Sequence, residues 1–149
     1  MHMSADHASA DHVSVSLSID ASPREIWGAL ATAKHEWWPD MTFEAIVGTP
    51  LVERWMDGDK EKVASGTVTH AEAPHMLAFE WTEPEWGSAT AVRITLESID
   101  HHTKVSLVES GFCTIAGGPE IRAAHEEGWR YHLDRLRAAA VSPIGRVDS

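Results

Sequence analysis

The stretch Pro119–Ala140 reads PEIRAAHEEGWRYHLDRLRAAA. Gly117-Gly118 precedes it and Ser142-Pro143 follows it, so the sequence predicts one long helix with a stop signal at each end. At about 100° per residue, Ile121, Ala124, His125, Gly128, Trp129, His132, Leu133, Leu136, Ala139 and Ala140 share one broad arc. Glu126, Glu127, Arg130, Asp134 and Arg137 take the opposite side, as they do on a helix that lays one face on a core. Two histidines, His125 and His132, sit near the middle of the inward arc, where a solid core carries Leu or Ile. Gly128 lies between them and leaves space.

Working outward, the chain before this helix reads as strands. Val13, Val15, Leu17 and Ile19 alternate with Ser14, Ser16 and Ser18, the period of a strand with one buried face. Ser22-Pro23-Arg24-Glu25 then carries a cap, a proline suited to a first helical turn and a glutamate able to close a capping box. A short helix with Ile26, Trp27 and Leu30 is expected, and a second short turn from Ala33 to Trp38. Beyond Pro39, turn residues separate strands expected at Thr42–Val47, Leu51–Met56, Lys62–Ala71, Met76–Thr82, Thr90–Ile99 and Thr103–Gly111. The close spacing favours antiparallel hairpins. The expected fold is α+β: seven antiparallel strands, two short helices after the first strand, and the long C-terminal helix as cover. Residues 12–140 form the domain on this reading, with tails at 1–11 and 141–149.

Composition narrows the partners. The chain has 149 residues, 23 Asp plus Glu against 12 Lys plus Arg, and a formal net charge of −11. That excess repels nucleic acid and anionic lipid, so neither is expected as a partner. No apolar run approaches the roughly 20 residues of a membrane span, and MHMSADHASADH lacks the apolar core of a secretory signal. A single cysteine, Cys113, suits the reducing cytoplasm. Seven tryptophans against one tyrosine and three phenylalanines suggest a core built around a cavity or groove.

The order of elements and six short motifs resemble a known family. They are Ser22-Pro23-Arg24-Glu25-Ile26-Trp27 with Trp38-Pro39; Val47-Gly48 with Leu51-Val52-Glu53-Arg54-Trp55 and Asp57-Gly58; Gly66-Thr67-Val68; Ala73-Pro74 through Leu77-Ala78-Phe79-Glu80-Trp81; Thr103-Lys104-Val105-Ser106-Leu107 with Gly111-Phe112; and His125-Glu126-Glu127-Gly128-Trp129. Over residues 12–140 the chain is similar to single-domain proteins related to the C-terminal domain of the activator of Hsp90 ATPase, within the START-like, or Bet v 1-like (SRPBCC), superfamily. The resemblance implies a helix-grip fold: a curved antiparallel sheet wrapped around the C-terminal helix, with a hydrophobic cavity between them. Members of the superfamily include lipid carriers, hormone receptors and cyclases. The Hsp90-binding N-terminal domain of the eukaryotic co-chaperone has no counterpart in these residues, so Hsp90 is not the favoured partner.

If the sheet turns its apolar phase to the helix, alternation points Leu77, Phe79 and Trp81 inward, then Val92, Ile94 and Leu96, then Val105 and Leu107. Continuing that phase turns Glu109 inward as well, where a carboxylate is costly without partners. Two readings stay open: a bulge or the end of the sheet lets Glu109 reach water, or Glu109 meets His125 or His132 and forms a polar pole in an apolar cavity. The two histidines, seven residues apart, are separated by about 10.5 Å along the axis and cannot share one metal ion by themselves. A metal would need Glu109 or His70 beside one of them; no metal and no cofactor is expected. His2, His7 and His12 fall in or beside the tail, His101-His102 read as a solvated turn, and Cys113 as a bystander thiol. Ser110 has no nucleophile elbow around it, and no glycine-rich phosphate loop is present. One ring of Trp37-Trp38 is a candidate for the border of the cavity, and Trp55 and Trp86 fall beside hairpin turns, where exposed rings would suggest a gate or a subunit contact.

The expected ligand site is Phe79, Trp81, Leu107, Glu109, His125, Trp129 and His132. The expected function is binding of a small, mainly hydrophobic or aromatic molecule, with no catalytic residue assigned. A cyclase- or hydrolase-type enzyme using His and Glu acid–base chemistry is the alternative, and an Hsp90-activator-like role a third. A homodimer is compatible with the sequence.

Overall fold

The computed structural model describes residues 11–141. Most of the two tails, with His2 and His7, lies outside the described residues. Strand β1 (His12–Ile19) is followed by helix α1 (Pro23–Trp27), a π-helical turn (Gly28–Thr32) and a 3-10 turn (Lys34–Glu36). Six strands come next: β2 (Met41–Thr42), β3 (Pro50–Asp57), β4 (Lys60–Glu72), β5 (Met76–Thr82), β6 (Thr90–Ile99) and β7 (His102–Ser110). A 3-10 turn (Phe112–Thr114) leads into helix α2 (Gly118–Ala140). The seven strands form one antiparallel sheet in the order β1-β7-β6-β5-β4-β3-β2.

Local chemistry accounts for the start of α1. Ser22 Oγ accepts the Glu25 N–H at 3.1 Å, and Glu25 Oε1 accepts the Ser22 N–H at 2.9 Å, which closes the capping box the sequence predicts. The buried Thr103 hydroxyl donates to the Ala21 carbonyl at 2.7 Å and ties β7 to the chain entering that helix. Arg122 does the same for α2, donating from Nε to the His12 carbonyl at 2.9 Å.

The apolar phase of the sheet faces the helix. Leu77, Phe79, Trp81, Val92, Ile94, Leu96, Val105 and Leu107 are all buried, with Trp129, Leu133 and Leu136 of α2 above them. The strand expected at Thr42–Val47 is a correction: pairing stops at Thr42, and Ile46 and Val47 are exposed. The reason is a compact turn. Thr49 Oγ1 donates to the Ile46 carbonyl at 2.6 Å, Gly48 adopts φ 89°, and the Gly48 N–H reaches the Val68 carbonyl of β4. The backbone groups a strand would have paired are used up in the turn.

Helix α2 comes closest to β1 and to the short helical segments, and the β3–β5 side of the sheet is left less covered. Space opens there.

Candidate functional site

Glu109 is the last inward residue of β7 and is 0% exposed. Its Oε1 accepts from His125 Nδ1 and from Trp129 Nε1, both at 2.8 Å. Its Oε2 accepts from Trp81 Nε1 at 2.9 Å and from Thr90 Oγ1 at 2.5 Å. Each oxygen thus receives two donors, which fills the accepting capacity of a carboxylate. Of the two readings left open for Glu109, escape to water is the one overturned: the sheet continues through it, with Glu109 paired to Val13 on one side and Val92 on the other. Burial pushes the carboxyl up, but the bonds from His125, Thr90 and Trp129 outweigh it and hold Glu109 below the usual carboxylate range.

The ionised carboxylate accepts only, so Nδ1 of His125 carries the proton and the other ring nitrogen, Nε2, is left for the space in front. That space is a pocket of about 320 Å³. Helix α2 contributes Ala124, His125, Gly128, Trp129 and His132; strands β3 and β4 contribute Glu53, Trp55 and Ala64. Trp81 and the loop after β5, with Glu83 and Trp86, form a third wall, and Trp38 and Asp40 the fourth. Five of the chain's seven tryptophans meet here. Trp38 is the hub, with its ring 5.1 Å from Trp129, 5.8 Å from Trp81 and 4.9 Å from His132. Arg135 of α2 fixes the loop that carries it, donating to the Glu36 carbonyl at 3.1 Å.

Three groups in the wall have displaced protonation. Glu53 accepts from Trp38 Nε1 at 2.8 Å; burial, reinforced by Asp40 and Glu83, pushes its pKa up to about 7 despite that bond and despite His125. His132 is pulled down to about 4, chiefly by burial and also by the Arg135 charge. The Trp37 backbone acts in the opposite sense without reaching hydrogen-bond geometry, and His132 Nδ1 is buried without a partner among the described residues. Glu83 is also raised, by burial and by Glu85, with Lys62 opposing.

Of the seven residues expected at the site, Trp81, His125, Trp129 and His132 line the pocket. Glu109 lies just behind three of them as their common acceptor. Phe79 and Leu107 are placed elsewhere: both are buried in the core and form no part of the wall, Phe79 packing edge-on against Trp81 at 5.3 Å. Trp86 is buried and Trp55 half-buried, so neither is an exposed hairpin-tip ring. Sequence reasoning missed Asp40, Glu53 and Glu83. The signal was present in alternation: Glu53 follows buried Leu51 by two residues, and Glu83 follows Trp81 by two. Among the described residues, no three His, Cys, Asp or Glu side chains converge as a metal site.

The family model described as Activator of Hsp90 ATPase homolog 1-like protein matches residues 20–140. The chain belongs to this family. Similar solved structures include Mll3558 from Rhizobium loti, at 21% identity and a TM-score of 0.75 over 86% of this chain and 95% of that one. Protein MLL2253 from Mesorhizobium loti matches at 21% identity and 0.72, over 86% and 95%. The Aha1 dimer from Colwellia psychrerythraea matches at 20% identity and 0.70, over 89% and 98%. These likenesses establish the helix-grip fold that the family shares. No curated protein matches the chain. No helix among the described residues is long and apolar enough to cross a membrane.

Proposed function

We propose that the protein binds a small, mainly aromatic molecule in the pocket between sheet and C-terminal helix. One observation carries this reading: five tryptophans surround about 320 Å³ of open space, at the lower end of the range for small-molecule sites. A domain that needed these rings only for packing would close over them. Gly128 supports the reading, because nothing lies within 4 Å of where its side chain would begin. The exposed Cys113 thiol suits a reducing compartment, in line with a cytoplasmic carrier or receptor. The test is native mass spectrometry of freshly purified protein for co-purified small molecules, paired with calorimetric titration of 1-naphthylmethanol. A clean apo mass together with no heat up to millimolar probe would refute the proposal.

The Glu109–His125 pair favours a second reading, an acid–base enzyme in which His125 Nε2 takes or delivers a proton at the pocket wall. Hydrolysis of 4-nitrophenyl acetate tests it. Turnover that disappears in His125→Asn and follows a single ionisation in wild type supports catalysis; equal rates in the two proteins exclude it.

A further inference from the structure

The pocket is apolar in area but one-sided in charge. Asp40, Glu53 and Glu83 lie in its wall, and among the described residues no Lys or Arg does. The elements packed around Glu53 bring Asp40, Glu83 and His125 to bear on it, and those around Glu83 bring Glu85, His125 and Lys62. Lys62 lines the adjoining pocket, which shares Trp55, Glu83, Trp86, Ala124 and His125 with this one, and its charge acts on Glu83 and is not among those acting on Glu53. His125 is already bonded to Glu109, and His132 is held neutral by burial. An anion entering this space would meet three carboxylates and, among the described residues, no Lys or Arg in the wall to receive it. A neutral molecule would leave Glu53 with a single donor, Trp38.

Resting on the binding reading above, we propose that the pocket selects an organic cation: an aromatic amine or ammonium ion whose rings lie among Trp38, Trp81 and Trp129 and whose charged nitrogen faces Glu53 and Glu83. Tryptophan faces are the best aromatic partners for a cation, and desolvation strengthens that attraction. Carboxylates beside them add charge pairing and accept the ammonium N–H groups. The arrangement also explains why a glutamate is kept half-buried with so few donors. A bound cation stabilises its ionised form and lowers its raised pKa, so binding and ionisation of Glu53 are linked.

Three probes of one size separate the possibilities: 1-naphthylmethylamine, 1-naphthylmethanol and 1-naphthoate, titrated by calorimetry at pH 8 and pH 6. The amine is expected to bind at least about tenfold more tightly than the alcohol at pH 8, about 1.4 kcal/mol, with naphthoate weakest. The preference shrinks at pH 6, where Glu53 is largely protonated while the alkylammonium keeps its charge. Glu53→Gln and Glu83→Gln each reduce the amine-to-alcohol ratio, with circular dichroism confirming the fold; if Glu53→Gln fails to fold, Glu83→Gln carries the test alone. Alcohol binding as tightly as amine, naphthoate binding best, or an undiminished preference in the folded variants overturns the cation proposal and leaves an aromatic-ligand pocket. Failure of all three probes overturns both.

Discussion

The indole N–H of Trp129 on α2 points at Glu109 Oε1 of β7 from 2.8 Å, so the covering helix is pinned to the sheet by a buried carboxylate. Glu109→Gln keeps the size and replaces one acceptor oxygen with an N–H₂ donor. Whichever oxygen is lost, an indole N–H, that of Trp129 or of Trp81, is left facing a donor, while His125 or Thr90 can turn to accept. Each group stranded in this way costs about 1–3 kcal/mol, so a urea melt followed by tryptophan fluorescence should show a large drop in midpoint. An unchanged midpoint would contradict the hub geometry.

Stability should fall with acid for two reasons. Glu109 is held below the usual carboxylate range, so its contribution is present above the unfolded value and is lost as pH falls through the lower folded value. His132 is neutral in the fold down to about pH 4 but titrates at 6.5 when unfolded, so stability is lost between pH 6.5 and 4 as the unfolded chain takes up the proton. His132→Asn should flatten the melting temperature over that window relative to wild type.

Glu53 acts in the opposite direction. Its folded pKa of about 7 lies above the ordinary 4.5, so its favourable share is complete below pH 4.5 and is lost as pH rises to about 7. Glu53→Gln should therefore raise the melting temperature more at pH 8 than at pH 5. Thermal scans at the two values decide it, and an equal change at both would remove the linkage.

Gly128→Leu tests the pocket by filling it. An alanine at that site gains about 0.5–1 kcal/mol of helix stability over glycine, and the leucine side chain enters open space instead of overpacking. Loss of probe binding with an unchanged or raised denaturation midpoint is the expected pair of results. A clear destabilisation, about 1–3 kcal/mol, would mean helix and sheet touch at Gly128 and would withdraw the site.

Gly66 behaves in the reverse way. It pairs with Trp81 across β4 and β5, and a Cβ there would fall 1.7 Å from the Glu80 carbonyl oxygen and 2.7 Å from Trp81 Cα. Gly66→Ala must push β5 away, at a cost of about 1–3 kcal/mol or more. Because Trp81 moves with that backbone, probe affinity should fall as well, measured on whatever folded fraction survives.

Much of this protein is decided by local pattern. Alternation from Val13 to Ile19 and from Leu77 to Trp81, the Ser22–Glu25 capping box, and the helical arc from Ile121 to Ala140 each follow from neighbours in sequence, because strand and helix periods are short-range geometry. The same alternation carried Glu109 inward and left its partners undetermined. Those partners come from β5, β6 and α2, and only the register of the sheet and the seat of the helix bring Trp81, Thr90, His125 and Trp129 to one carboxylate. Phe79 and Leu107 share the inward phase with Trp81 and Glu109 yet end in solid core, because the pocket reaches β5 only at Trp81 and does not touch β7. Glu53 and Glu83 were not singled out from the chain. Their character, raised pKa values in a tryptophan-walled pocket, arises from desolvation by residues far away in sequence, a property that residue order by itself does not contain.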